Sequence, residues 1–291
     1  MTTYSIDPAE LKALHGKTIL ITGAATGIGE AAFKLAIENG ANIVVGDWNE
    51  EGASKLVEPY EGRAIFKKCD VSKWDDVLEL FQEAFLRFGT IHSVLSNAGI
   101  NGNESLLDED IDEQSGKLLP PNLKSLDVNL LGQLYVTRCA IHYFKKWPET
   151  PCQLVMTASA GSFFPAPPLH VYCVAKAGVV SLMRSLYYET EKMQNLTVNT
   201  IAPWMTVTPM IKAIPGWEQR WKLPLNTPAD VGLSLLLPVV RPSVNGKCFF
   251  IAGGKFIELE DTLHETEPQW MGEELCSLVR KGQDILLDRK D

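Results

Sequence analysis

"KTILITGAATGIGEAAFKLAIENG", Lys17 to Gly40, decides the fold. A short apolar run ends on glycine. The segment after it spaces its apolar residues as a helix does and closes on Gly40, where a left-handed cap costs little. The reading is therefore strand, tight turn, helix. The turn carries Gly23, Gly27 and Gly29, which is not the common G-x-G-x-x-G spacing. Its physical logic is the same: glycines let the backbone bend sharply and approach a pyrophosphate, while the helix start offers N–H groups and a positive dipole end. With Ala25, Thr26 and Ile28 they form the candidate phosphate-facing turn, although a glycine cluster also serves a plain strand-to-helix turn.

Outward from this unit the alternation repeats. "ANIVVGD", "GRAIFKKCDV", "IHSVLSNAG", "QLVMTAS", "LTVNTIA" and "KCFFIAG" read as further strands, with helical segments between them. Seven strands interleaved with helices predict an α/β fold of Rossmann type, a doubly wound parallel sheet covered on both faces. No repeat or linker divides it, so residues 1–254 read as one domain. Residues 255–291 read as a tail whose "EELCSLVRKGQDILL" places Leu275, Leu278, Val279, Ile285 and Leu286 on one helical face, with Gly282 weakening the helix by about 1 kcal/mol. The tail is expected to pack on the domain or on a neighbouring subunit. "NGNESLLDEDIDEQSGKLLPPN" reads as an acidic, solvated surface insertion.

Composition narrows the function. The chain has 291 residues, 45% of them hydrophobic, and a formal charge of -9, which would repel a polyanion; nucleic acid is excluded as a partner. Six cysteines without a C-x-x-C pair argue against zinc or a disulfide framework and point to a reducing, cytoplasmic setting. The beginning of the chain carries no basic, apolar leader, and no apolar run reaches the roughly 20 residues that span a bilayer. The sequon at Asn195 is accordingly expected to stay unmodified.

Asp47 ends the second strand, about 20 residues beyond the glycines, where an acid can accept hydrogen bonds from an adenosine ribose. A carboxylate there repels the 2'-phosphate of NADP, and Ala24, Ala25, Thr26 and Trp48 supply no cation to hold one; NAD is the expected cofactor. Asp70 and Val71 end the third strand, and Asn97, Ala98 and Gly99 the fourth, all on the rim where parallel sheets bind ligands. Each could singly be a turn former.

Tyr172 and Lys176 stand four residues apart in "VYCVAKAG". Alone, such a pair is an ordinary helix-surface contact. With "TGAATGIG", Asp47, "CDV", "SNAG", "DVNLLG" and "TAS" in order, the chain resembles the short-chain dehydrogenase/reductase family from about Lys17 to Gly254. The stretch around Tyr172 looks like the hydroxyprostaglandin dehydrogenase branch.

The resemblance implies that Tyr172 and Lys176 are the catalytic pair, with Ser159 thirteen residues before the tyrosine and Asn129 in the preceding helix. Tyr172 would exchange the substrate hydroxyl proton while hydride passes to or from the nicotinamide. Ser159 would hold the substrate oxygen. Lys176 would lower the tyrosine and hold the nicotinamide ribose, and Asn129 would fix a water on a proton path to solvent. Bringing a phenol from about 10 to about 7 takes roughly 4 kcal/mol of differential stabilisation. Plainer roles are open as well: Ser159 as a strand end, Asn129 as a buried amide satisfied by backbone, Cys173 as a packed thiol. Ser162 rivals Ser159 at the wrong spacing.

"NTIAPWMTVTPM" resembles the family's nicotinamide-side loop through Pro203, Thr206 and Thr208. Trp204 stands where the family usually has glycine, and Ser96 where it has the first asparagine of Asn-Asn-Ala-Gly. The irregular, aromatic stretch that follows reads as a lid. Gly161, Phe163, Phe164, His170, Trp204, Met210, Ile214, Trp217 and Trp221 form the expected apolar pocket for a lipophilic secondary alcohol or ketone. Two helices are more apolar than one sheet face requires, and the resemblance implies a homodimer or homotetramer through them. A carbonyl reductase, a non-redox catalyst or a nucleotide-binding regulator on the same fold are the competing readings.

Overall fold

The computed structural model describes residues 2–288 other than 103, 191, 194, 215 and 221–223. Its sheet has nine strands: β1 (Thr3–Tyr4), β2 (Thr18–Thr22), β3 (Asn42–Asp47), β4 (Ala64–Lys68), β5 (Ser93–Ser96), β6 (Cys152–Thr157), β7 (Leu196–Pro203), β8 (Cys248–Ala252) and β9 (Lys255–Glu258). Their order across the sheet is β1-β9-β8-β7-β6-β5-β2-β3-β4. The seven from β2 to β8 are the parallel strands read from the sequence. β9 and β1 extend the sheet antiparallel beyond β8.

The expected boundary at Gly254 thus falls inside the sheet. Gly253 and Gly254 both have left-handed φ (+55° and +72°), which turns the chain straight back from β8 into β9 and buries Phe256.

The helices are α1 (Gly27–Glu38), α2 (Glu50–Val57), α3 (Trp74–Phe88), α4 (Lys124–Leu126), α5 (Gly132–Phe144), α6 (His170–Thr190), α7 (Pro209–Lys212), α8 (Trp217–Arg220), α9 (Pro228–Val240), α10 (Glu260–Glu265), α11 (Glu267–Met271) and α12 (Glu273–Asp288). Strand residues alternate between two buried layers, as the pleat requires. Ile19, Ile21, Ile43 and Val45 pack with Phe33, Ile37, Leu235 and Leu236 of α1 and α9. Leu20, Val44, Leu154 and Met156 pack with Phe81, Val136 and Val179 of α3, α5 and α6.

Strand order reverses between β2 and β5, so the carboxyl ends of these two strands flank the crevice where a doubly wound sheet takes its ligand. Between α4 and α5 the helix widens into a π turn, Asp127–Leu131, centred on Asn129.

The tail holds α10, α11 and α12 rather than the single helix expected. α12 is tied to α11 by Cys276, which is buried, and by Arg280, whose Nε donates to Glu267 at 2.9 Å. Leu275, Leu278, Val279, Ile285 and Leu286 stay exposed on α12. The insertion folds into a small hairpin in which Ile111 bridges Leu118 and the Leu119 N–H donates to the Asp110 carbonyl at 2.8 Å. All six cysteines are free thiols. Among the described residues, no helix is long and apolar enough to cross a membrane, and no cluster of side chains could hold a metal.

Candidate active site

The glycine turn after β2 is held from two sides. Gly23 adopts φ +70°, and a Cβ there would come within 2.6 Å of the Ala98 Cα, so the turn and the end of β5 meet backbone to backbone. A Cβ on Gly29 would fall on the Gly23 carbonyl oxygen, and one on Gly27 would lie 3.2 Å from the Thr208 methyl. Asn97 knits the strand ends together: Nδ2 donates to Gly23 O at 2.9 Å, and Oδ1 accepts from the Thr157 hydroxyl at 3.2 Å. Thr26 precedes α1 with no side-chain capping bond. The first-turn N–H groups of α1 therefore have neither an intrahelical acceptor nor a side-chain cap, which suits a pyrophosphate.

At the end of β3 the Asp47 carboxylate is buried and accepts N–H bonds from Ala25 (2.8 Å) and Asn49 (2.9 Å). It locks the second half of the glycine turn and places negative charge at the adenosine end. Beyond it lie Lys67, Lys68 and Lys73, whose ammonium groups sit 2.8, 3.1 and 3.9 Å from Glu79, Glu50 and Asp70. Trp48 projects into solvent. Asp70 accepts both the N–H and the O–H of Ser72, the arrangement of a turn former, while Val71 is buried against Gly132. These residues thus fit a dinucleotide at the phosphate turn and at Asp47.

At the reacting end, Ser159 follows β6. Its oxygen accepts the Gly161 N–H at 3.1 Å, and its hydroxyl is a neighbour of Tyr172. A Cβ on Gly161 would meet Cys173 Sγ at 3.3 Å and Ser159 Oγ at 3.6 Å, so glycine keeps this corner open. Burial pushes the Tyr172 phenol up, the Ser159 bond pulls it down, and the neighbouring Cys173 adds slightly to the rise.

Lys176 is 3% exposed, donates to the Thr157 carbonyl at 2.8 Å, and lies 5.8 Å from the centroid of the Tyr172 ring. Burial pushes its ammonium down to about 8. The Lys176 Nζ is directed at the Thr157 carbonyl, while the neighbouring Ser159 hydroxyl draws the tyrosine down.

Asn129 is fully buried, and its amide pairs with one backbone unit: Oδ1 accepts Ile100 N–H at 2.8 Å and Nδ2 donates to Ile100 O at 2.9 Å. A Cβ on Gly99 would lie 3.0 Å from Asn129 Oδ1 and 3.4 Å from Lys176 Nζ, so Gly99 is the spacer between these two polar groups.

The loop after β7 is fixed by Asn226, which is fully buried; its Nδ2 donates to Ile251 O at 2.9 Å and to Trp204 O at 3.3 Å. Nothing in the sequence singled Asn226 out, because it acts through backbone carbonyls brought together only by the fold. Thr206 caps the same loop through a 2.8 Å bond to Trp204 O, and Pro203 ends β7. Trp204 meets Phe164 edge to face at 6.4 Å, and Phe164 meets Phe250 likewise at 5.7 Å. Phe163 instead packs into the layer under α6. His170 opens α6 and accepts the Leu106 N–H of the insertion at 3.0 Å. Met210 is exposed on α7, whereas Ile214 and Trp217 are half-buried; Trp221 lies outside the described residues.

A short-chain dehydrogenase/reductase from Penicillium rubens is 30% identical over 97% of this chain and 88% of its own length. A 15-hydroxyprostaglandin dehydrogenase [NAD(+)] from Bos taurus is 27% identical over 88% of this chain and 97% of its own. The crystal structure of a 3-ketoacyl-(acyl-carrier-protein) reductase from Brucella melitensis, complexed with NADH, superposes with a TM-score of 0.72 at 27% identity, covering 83% of this chain and 98% of that one. The family described as short chain dehydrogenase matches residues 17–219, which span the glycine turn, Asn129, Ser159, Tyr172 and Lys176 alike. The chain belongs to the short-chain dehydrogenase/reductase family.

Proposed function

We propose that this protein is an NAD-dependent oxidoreductase interconverting a secondary alcohol and its ketone on a lipophilic small molecule, with Tyr172 as general acid and base. One observation carries the reading: Ser159, fixed by the Gly161 N–H, stands beside Tyr172 and draws its phenol down, with the buried ammonium of Lys176 next to the tyrosine ring.

Because the Ser159 oxygen takes the Gly161 N–H, its own proton is free to point at the tyrosine oxygen or at a substrate oxygen placed next to both. Tyr172 accepts the hydroxyl proton in oxidation and returns it in reduction. Its upward-shifted phenol keeps it protonated as a donor until charge accumulates nearby. Lys176, titrating near 8, can take up or give off a proton close to neutral pH, and Asn129 holds Gly99 and Ile100 beside it. The nicotinamide, when bound, supplies the hydride acceptor or donor. Gly23 to Gly29 would hold its pyrophosphate, Asp47 with Trp48, Asp70 and Val71 its adenosine, and Asn97, Ala98, Gly99, Pro203, Thr206 and Thr208 the nicotinamide half.

NAD rather than NADP is supported by the Asp47 carboxylate and by the carboxylate partners of all three nearby lysines. An apolar substrate is supported by the Phe164, Trp204 and Phe250 cluster and by the name of the bovine relative. Exposed Leu134, Val174 and Tyr188 on α5 and α6 support assembly into a homodimer or homotetramer, and six free thiols support a cytoplasmic setting.

The test is turnover with NAD against a panel of lipophilic secondary alcohols, and with NADH against the matching ketones, for the wild type and Tyr172→Phe. Loss of about a hundredfold or more in kcat is expected in the variant. Turnover that survives the substitution would sink the mechanism.

A further inference from the structure

The acidic insertion looks detached from the chemistry, yet its two ends converge on the helix that carries Asn129. Beyond β5 and Ile100, the chain buries Glu104, which is 4% exposed; its Oε1 accepts the N–H of the fully buried Ser125 at 2.9 Å. Ser125 sits on α4, four residues before Asn129, and Glu104 lies four residues after Ile100. Ile100 and Glu104 are therefore each clamped to the 125–129 segment, the first through Asn129 and the second through Ser125.

Gly102 makes the inner clamp possible, since a Cβ there would come within 2.8 Å of the Glu104 carboxyl group. At the far end of the insertion Asn122 Oδ1 accepts the Lys124 N–H at 3.0 Å. Both N–H groups that begin α4 are thus satisfied by side chains from the opposite ends of one insertion, and one of those side chains is a carboxylate, the charge a helix start favours. Among the described residues the other Glu104 oxygen has no partner, and the bond to Ser125 holds this buried acid.

We propose that Glu104 is a positioning residue for the reaction: it caps in trans the helix bearing Asn129, and so holds Ile100 and Gly99 in register beside the Lys176 ammonium. The proposal rests on Asn129 and Lys176 belonging to the reacting site. The hairpin between the two caps is separable from that task.

Amide exchange at Ile100, whose N–H is bonded to Asn129, reports the clamp without any turnover. Glu104→Ala is expected to speed that exchange about tenfold or more and to lower kcat about ten- to a hundredfold, with KM for NAD little changed. Glu104→Gln keeps the accepting oxygen and should stay within about threefold of wild type on both readouts, whereas Glu104→Asp, one methylene short, should fall with the alanine variant. Replacing residues 108–120 by a short Gly-Ser link, with both caps kept, should leave exchange and kcat for a small secondary alcohol unchanged.

Unchanged exchange at Ile100 in Glu104→Ala, or in Glu104→Asp if the alanine variant does not fold, overturns the proposal at Glu104. Faster exchange with kcat unaltered in both Glu104→Ala and Asn129→Ala overturns it through the role of Asn129. A glutamine variant as damaged as the alanine one also overturns it.

Discussion

Lys176→Met separates what the fold gains from what the chemistry needs. The ammonium is buried against the Thr157 carbonyl, and burial pulls its titration from 10.5 to about 8. An unfolded chain keeps this proton up to about 10.5, while the folded chain releases it near 8. Across that window the unfolded state binds more protons, so stability rises with pH, and below about 8 the folded state carries the whole cost, about 3 kcal/mol.

Methionine removes that cost but strips the Thr157 carbonyl of its donor, a loss of about 1–3 kcal/mol. Near neutral pH the two effects almost cancel. The pH dependence does not cancel: between about pH 8 and about pH 9.5 the wild type should gain about 2 kcal/mol over the variant. Urea unfolding of both unliganded proteins across that range measures it, since every other titrating group is common to the pair. Parallel stability curves would refute the claim that a buried, reluctant cation sits at this site.

Two further substitutions probe the cofactor end. Gly29→Ala drives a methyl onto the Gly23 carbonyl, a backbone atom without freedom to swing aside, so stability should fall by about 1–3 kcal/mol or more and NAD binding should vanish with it. Unfolding and NAD titration that both match wild type would show that the turn relaxes. Asp47→Ser removes the carboxylate proposed to bind the ribose and should shift the ratio of NADP to NAD affinity towards NADP by about tenfold; equal binding of the two cofactors by the wild type would void the role given to Asp47.

The parallel core of the fold was legible because each of its strands is an apolar run ending in a turn, and the period changes visibly from strand to helix. β1 and β9 were not: Thr3–Tyr4 is two residues long, and Lys255–Glu258 begins and ends on a charged residue and lacks the apolar run that marked the equally short β5. The Gly253–Gly254 pair did announce the hairpin that defines β9, in a stretch read as the start of a tail. Gly23, Asp47 and Asn97 were legible as candidates from their places at strand ends, and Ser159, Tyr172 and Lys176 through the family resemblance, since a tyrosine and a lysine four residues apart are by themselves an ordinary helix contact. Glu104, Asn122 and Asn226 were not: they act through backbone groups distant in sequence, which no spacing encodes. The balance on Tyr172 was hidden for a related reason. A helical i, i+4 spacing brings Lys176 to the same face, but only the folded chain shows its ammonium turned to the Thr157 carbonyl.

The two-residue strand β1 has a consequence for how copies of this chain can meet. Thr3 and Tyr4 pair with Ile257 and Phe256, the Glu258 N–H donates to the Thr2 carbonyl, and Tyr4 stacks edge-on against Phe249 at 5.0 Å. On that flank the run "KFIE" would otherwise offer a bare row of donors and acceptors to any passing strand. The opposite flank, β4, ends in two lysines, which repel their own copies. Growth of the sheet from molecule to molecule is disfavoured at both borders. Trimming residues 2–4 would reopen one border, and the first sign would be aggregation rather than loss of chemistry.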